Sequence, residues 1–197
     1  MSDPSIQNAL IDHDAAVRSL HGATELLQSM AELLIDCLGS GNKLLIFGNG
    51  GSAADAQHIA GELLGRFRRE RRAFAVLALS TDTSTITAIG NDYSFEEIFS
   101  RQVEGIVRPG DVVWALSTSG NSPNVVLALQ RAKQLGAKTI AFSGNDGGKA
   151  AKLAQLCLVI PANHTARIQE AHQLAYHILC DLVESALADH RRSHTNE

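Results

Sequence analysis

Five short apolar runs punctuate the chain: 43–47 (KLLIF), 74–79 (FAVLAL), 111–116 (DVVWAL), 138–142 (KTIAF) and 156–160 (LCLVI). Each is apolar throughout rather than at alternate positions, the pattern of a strand buried on both faces. Helical patterning fills the intervals at about 52–66, 94–107, 122–136 and 148–154, and a last helix is predicted from about 165 to 188. Strands alternating with helices make βαβ units, and hence a parallel sheet covered on both faces. With 197 residues, 45% of them hydrophobic, and only 4 prolines, the chain has material for one core and little for long disorder. The expected organisation is a single domain: a helical segment at 1–38, an α/β core at 39–189, and a flexible tail at 190–197.

Before the first strand, Ile6, Leu10, His13, Val17, Leu20, Thr24, Leu27, Ala31, Leu34 and Leu38 recur at alternating spacings of four and three. This is a helical seam of the coiled-coil kind. His13, Thr24 and the His21-Gly22 pair interrupt it, so a kink or two consecutive helices fits as well as one rod. The seam could pack on its own domain; its length at the chain's end favours a contact between subunits.

Lys and Arg number 17 against 21 Asp and Glu, a net charge of −4, which excludes a nucleic-acid binder relying on bulk positive charge. The one basic cluster, 66–72 (RFRRERR), reads as a solvated face. No apolar run approaches the roughly 20 residues that span a bilayer, and the first residues lack the basic-then-apolar pattern of a signal peptide. No membrane association and a cytoplasmic location are expected. Cys37, Cys157 and Cys180 have no C-x-x-C spacing and sit in apolar stretches, as small buried hydrophobes do.

In a parallel sheet, ligands bind beyond the carboxyl ends of the strands. After KLLIF stands 48–55 (GNGGSAAD), which formally satisfies G-x-G-x-x-A. A dinucleotide fold would need an acidic residue about 20 residues on, at the end of the second strand. That strand ends near Ser80-Thr81-Asp82, too late, and no Gly-Lys-Ser/Thr follows to make a Walker loop. After DVVWAL stands 117–122 (STSGNS), followed by Pro123. Ser117, Thr118, Ser119 and Ser122 at a helix N-terminus could surround a phosphate with hydroxyl and amide donors. Helix capping by Ser122 would explain only one of the four hydroxyls. A third loop, 143–148 (SGNDGG), reads as a turn that starts a short helix.

His58 and Glu62, four apart, share one helix face. Gln169 and His177 lie eight apart on the last helix, roughly 80° around its axis. Brought together, two imidazoles, a carboxylate and an amide oxygen would suit Zn²⁺ with room for a substrate. The same spacings also describe hydrogen-bonded surface pairs. His172 is an alternative ligand or a structural hydrogen bonder, whereas His13, His21, His164, His190 and His194 have no comparable partners.

Taken together, GNGGS at 48–52, Asp55, His58, Glu62, Gly90-Asn91-Asp92, STSGNS at 117–122, Asp146-Gly147-Gly148, 167–172 (RIQEAH) and His177 strongly resemble the sedoheptulose 7-phosphate isomerase (phosphoheptose isomerase) family of the sugar isomerase (SIS) fold. The resemblance implies a three-layer αβα sandwich around a five-stranded parallel sheet. It also implies a homotetramer using the N-terminal helical segment, with active sites near subunit interfaces. It places phosphate on Ser117, Thr118, Ser119 and Ser122, and the sugar near Asn49, Gly50, Gly51, Ser52, Asn91 and Asp92, with Glu62 and Gln169 also in contact. It implies one Zn²⁺ per subunit on His58, Glu62, Gln169 and His177, with Glu62 as catalytic base and His177 as catalytic acid. The implied reaction converts sedoheptulose 7-phosphate to D-glycero-D-manno-heptose 7-phosphate through an enediol, for lipopolysaccharide core or other surface glycans. The alternative is a non-catalytic SIS tetramer that binds the DnaA replication initiator or senses a sugar phosphate; neither would need Glu62 and His177.

Overall fold

A computed structural model describes residues 3–188; the predicted tail, with His190 and His194, lies outside the described residues. The core is a sheet of β1 (Leu44–Gly48), β2 (Val76–Ala78), β3 (Val112–Ser117), β4 (Lys138–Gly144) and β5 (Leu156–Ile160). Its spatial order is β2-β1-β3-β4-β5, and every neighbouring pair is parallel. β1 and β3 are buried at every position, which explains their uninterrupted apolar sequences.

Side chains alternate between two cores. Leu44, Ile46, Trp114 and Leu116 face one, closed by α2 (Thr24–Gly39), α3 (Gly51–Leu64) and α8 (Thr165–Leu187). Leu45, Phe47, Val113 and Ala115 face the other, closed by α5 (Ser100–Ile106), α6 (Pro123–Gln134) and α7 (Gly148–Leu153). This is the expected αβα arrangement. Each fully buried large side chain contributes about 1.5–3 kcal/mol, and Trp114, Tyr176 and Phe142 on the α8 side are among the largest.

Three expectations need correction. The second strand is three residues long, not six, because this edge strand pairs only with Leu44–Ile46 of β1, and Phe74 instead bonds backbone-to-backbone with Leu63. The helix expected at 94–107 divides into a 3₁₀ turn, Phe95–Glu97, and α5. A helix absent from the sequence reading, α4 (Thr83–Asp92), follows β2. Its start is capped by the Asp82 carboxylate accepting from the Thr85 N–H at 3.0 Å, yet it buries none of its residues.

The N-terminal seam is two helices, α1 (Pro4–Arg18) and α2, joined by a 3₁₀ turn at Ser19–Ala23 that contains the His21-Gly22 pair. Leu20, Leu27, Ala31, Leu34 and Leu38 enter the chain's own core, whereas Ile6 and Leu10 remain exposed. His13 does have a partner: its Nδ1 lies 2.8 Å from Glu170 Oε2 on α8. The three cysteines are free; Cys37 and Cys180 are buried and Cys157 partly so, and burial pushes the thiols up to about 11, 12 and 11 respectively.

Candidate active site

From β1 the chain moves outward to β2, then crosses back to β3 on the other side of β1. The carboxyl ends of β1 and β3 therefore flank the topological switch point, where an open α/β sheet has its natural crevice. The 48–52 and 117–122 loops are the continuations of those two strands. Gly48 is required there: a Cβ on it would stand 2.7 Å from both the Leu116 carbonyl oxygen and Ser52 Cβ. Gly50 turns the chain into α3 with φ of 55°, a left-handed value that glycine adopts without strain. Between the loops is a cavity of about 290 Å³ lined by Asn49, Gly50, Gly51, Ser52, Ser117, Thr118, Ser122 and Gln169, with Leu116 and Thr165 completing the wall. Thr165, the first residue of α8, carried no sequence signal.

The hydroxyl loop is built for something other than capping. Ser122 occupies the N-cap position of α6 but makes no side-chain cap bond. Its Oγ instead lies 3.1 Å from the Oγ of buried Ser117, which also has Ser119 Oγ at 3.5 Å. Three hydroxyls thus gather at the first turn of a helix whose free N–H groups favour an anion. The third loop braces this one: the Lys149 N–H donates to Asn121 Oδ1 at 3.1 Å, and the Ala150 N–H to the Gly120 carbonyl at 2.9 Å. Asn49 and Asn124 exchange reciprocal amide hydrogen bonds of 2.9 Å, tying the first loop to α6.

His58, Glu62 and His177 meet where α3 and α8 pack side by side. Their nearest ligand atoms all lie within 4.8 Å of one another. His58 Nε2 is 3.0 Å from Glu62 Oε1 and 3.4 Å from His177 Nε2. One ring proton on His58 Nε2 can serve only one of those contacts, so the convergence of two imidazole nitrogens and a carboxylate fits a divalent cation. On its other side His58 Nδ1 meets the Tyr176 hydroxyl at 2.9 Å, a contact that fixes the ring. The half-buried Asp55 carboxyl lies behind this group. Burial pushes it up to about 6, against the opposing effects of the His58 charge and the Tyr176 hydroxyl. Burial and the neighbouring His58 hold His177 below the usual imidazole range, and Glu62 opposes them.

Gln169 stands nearer the crevice: its carboxamide covers Gly51, where an added Cβ would lie 2.5 Å from Nε2. Ser119 is exposed beside the cavity. Asn91 and Asp92 are exposed at the end of α4, hydrogen-bonded to each other at 2.9 Å, and do not line the cavity. His172 is no part of the ligand group; it is fully buried with Nε2 3.0 Å from the Ser143 carbonyl, and burial lowers it to about 4. A second cavity, about 390 Å³, is a mainly apolar groove between the α1–α2 turn and α8, lined by Val17, Leu20, Leu27, Leu174, Ile178 and Leu182 with His21, Thr24 and Gln28.

This sheet order, with a ligand loop at its switch point, is that of a doubly wound α/β fold, and the SIS domain model matches residues 15–144, from α1 through β4, which makes this a SIS-domain protein. Within that class the chain belongs to the phosphoheptose isomerase family. It is 53% identical over 183 residues to the phosphoheptose isomerase of Citrifermentans bemidjiense, covering 92% of this chain and 95% of the relative. The solved phosphoheptose isomerase of Neisseria gonorrhoeae superposes with a TM-score of 0.87 at 42% identity, over 92% of this chain and 98% of that one. That of Francisella tularensis superposes with a TM-score of 0.88 at 33% identity, over 94% and 100%. Among the described residues no helix is long and apolar enough to cross a membrane.

Proposed function

We propose that this protein isomerises sedoheptulose 7-phosphate to D-glycero-D-manno-heptose 7-phosphate, in the cytoplasm, as an early step towards activated heptoses for surface glycans. The observation that carries the reading is the convergence of Glu62 and His177 on His58, on the same two helices, α3 and α8, that bring Gly51, Ser52, Thr165 and Gln169 to the crevice beside the hydroxyl loop. An initiator-binding or sensing module has no use for such an acid–base pair.

The reaction moves one proton between C1 and C2 while protons are exchanged at the neighbouring oxygens. Ser117, Thr118, Ser119, Ser122 and the α6 N-terminus hold the phosphate at one end. His58 lies six residues beyond Ser52 on α3, about 9 Å of helix rise, a distance that an extended seven-carbon chain spans. The far carbons, C1 and C2, then reach the Glu62–His177 pair. Glu62, a partly exposed carboxylate, takes the proton from C1 and returns it at C2 through an enediol; His177 moves protons at O1 and O2. Asn49, Gly50, Gly51, Ser52 and Gln169 line the path between.

His58, Glu62 and His177, with Gln169 as fourth ligand, would hold one Zn²⁺ per subunit. Bound there, the ion supplies Lewis acidity to the substrate oxygens. Glu62 has two carboxylate oxygens, so one remains to accept a proton. The subunits are proposed to form a homotetramer through the N-terminal helices, with Asn91 and Asp92 reaching the sugar near subunit interfaces. The exposed seam at Ile6 and Leu10, and an α4 with no fully buried residue, support that assembly.

Proton NMR of the purified protein with sedoheptulose 7-phosphate in D₂O tests the reading. Aldose carrying deuterium at C2 is the expected result; absence of turnover with zinc supplied would overturn it.

A further inference from the structure

We infer that Glu184 and Phe67 are positioning residues for His177: Glu184 pins the loop following α3 onto α8, and the loop lays the Phe67 ring flat against the His177 imidazole. The inference rests on the acid role proposed for His177. The two rings are stacked, with centroids 5.6 Å apart and planes 20° from parallel. Tyr176 and His58 meet the imidazole edge-on at 4.7 and 5.0 Å. Among the described residues, the only hydrogen-bond partner of the His177 ring is His58 Nε2. A histidine is usually oriented by the hydrogen bond at its second nitrogen; here the aromatic contacts do that work.

The loop that brings Phe67 is held by an unusual arrangement. Glu184 is completely buried, and its carboxylate accepts the backbone N–H groups of Phe67, Arg68 and Arg69 at 2.8, 2.7 and 2.8 Å. Three successive amides around one carboxylate form an anion nest. The Arg71 Nε lies 3.4 Å from the same carboxylate. The Arg71 guanidinium also donates to the carbonyls of Glu62 at 2.8 Å and Gly65 at 2.8 Å, closing the C-terminal end of α3. A buried carboxylate is costly unless its oxygens are fully paired, and a surface loop needs no such anchor merely to turn the chain. Glu184 lies seven residues after His177, two helical turns along nearly the same face of α8. One side of that helix therefore carries both the proposed acid and the anchor of its cover.

The test compares Phe67→Leu, Phe67→Tyr and Glu184→Gln with the wild type in steady-state kinetics, together with the imidazole C–H signals of His177 in NMR spectra. Phe67→Leu keeps the nest and an apolar side chain but removes the flat face. The expected result is a small loss of melting temperature from the smaller side chain, a kcat lower by about tenfold and a KM within about twofold. Phe67→Tyr restores the stack and is expected to keep kcat within about twofold of wild type. Glu184→Gln weakens the nest and is expected to lower kcat in the same selective way, with some loss of melting temperature. In Phe67→Leu the His177 signals should lose the upfield ring-current shift. Unchanged kcat in Phe67→Leu, a loss confined to KM, or His177 signals unmoved would each overturn the inference. Because the spectra need no substrate, a failure of positioning is distinguishable from a failure of the isomerase reading, which would show as a wild type without turnover.

Discussion

Gly51→Ala isolates what Gln169 does in the crevice. Gly51 opens α3 and its φ is not among the positive values, so an alanine fits the backbone there. The obstacle is steric and local: the new Cβ would stand 2.5 Å from Gln169 Nε2 and 2.9 Å from both Cδ and Oε1. Those atoms form the end of a flexible side chain, so relief comes from swinging the carboxamide away from Gly51 and not from moving α3. Stability should therefore hold, since alanine is no worse than glycine in a helix. The loss is instead at least one neutral hydrogen-bonding group in the cavity, about 0.5–1.5 kcal/mol, or roughly two- to twelvefold in kcat/KM, a lower bound to which weaker holding of the metal by the proposed fourth ligand adds.

A double-mutant cycle with Gln169→Ala makes this measurable in a coupled isomerase assay. If the mutation acts only by displacing Gln169, then Gly51→Ala has no further effect on kcat/KM in the Gln169→Ala background. Additive losses, or a fall of more than about 4 °C in the thermal midpoint from Gly51→Ala alone, which for a chain of this size is upwards of 1 kcal/mol, would refute the reasoning.

Glu62→Gln, isosteric but unable to accept a proton, should abolish turnover while leaving fold and assembly intact by circular dichroism and light scattering; retained activity would remove Glu62 from the base role. Ser117→Ala removes the hydroxyl at the centre of the cluster and should raise KM by the value of a hydrogen bond to a charged group, about 1.5–3 kcal/mol, with kcat less affected. His172 is lowered to about 4 in the folded chain, so the unfolded chain, with its imidazole near 6.5, binds the extra proton between those values. Its contribution is therefore fully present above pH 6.5 and is lost as pH falls towards 4, about 2 kcal/mol between pH 7 and 5. Asp55, raised to about 6, acts with the opposite sign over an overlapping range, so the check is the difference between wild type and His172→Gln. The variant keeps a donor for the Ser143 carbonyl and should lose less thermal stability than wild type on acidification to pH 5; parallel curves would contradict the assignment.

The strands and loops were legible because a buried parallel strand writes itself as an apolar run and its ligand loop as the small polar residues that follow. What escaped was structure with little apolar patterning of its own. α4 is mostly Thr83, Ser84, Thr85, Thr87 and other small or polar residues, and only Ile86 and Ile89 touch the core, too few to mark a helical period. The edge strand β2 read too long because Phe74, Ala75 and Leu79 are as apolar as its three paired residues. Arg71 belongs to the 66–72 cluster that reads as a solvated face, and Glu184 carries no sequence signal; only the packing of residues more than a hundred positions apart makes them a buried anchor.

His58, Glu62 and His177 could be nominated by spacing, but spacing within each helix says nothing of how two helices register. The structure supplies that register. Gln169 meets Gly51, Tyr176 meets His58 and Glu184 meets Phe67, at separations of 118, 118 and 117 residues. Separations so nearly constant mean that α3 and α8 run parallel, side by side, with little slip along their length. They also mean that the register is pinned at three heights by three different chemistries: a side chain over a glycine, a tyrosine on an imidazole, and a carboxylate in a backbone nest. Removing the first pin leaves the other two to hold the acid and base in place. That is why Gly51→Ala should affect Gln169 alone, and why Glu184 and Phe67, at the far end, should govern His177 with little effect on the affinity of the phosphate crevice.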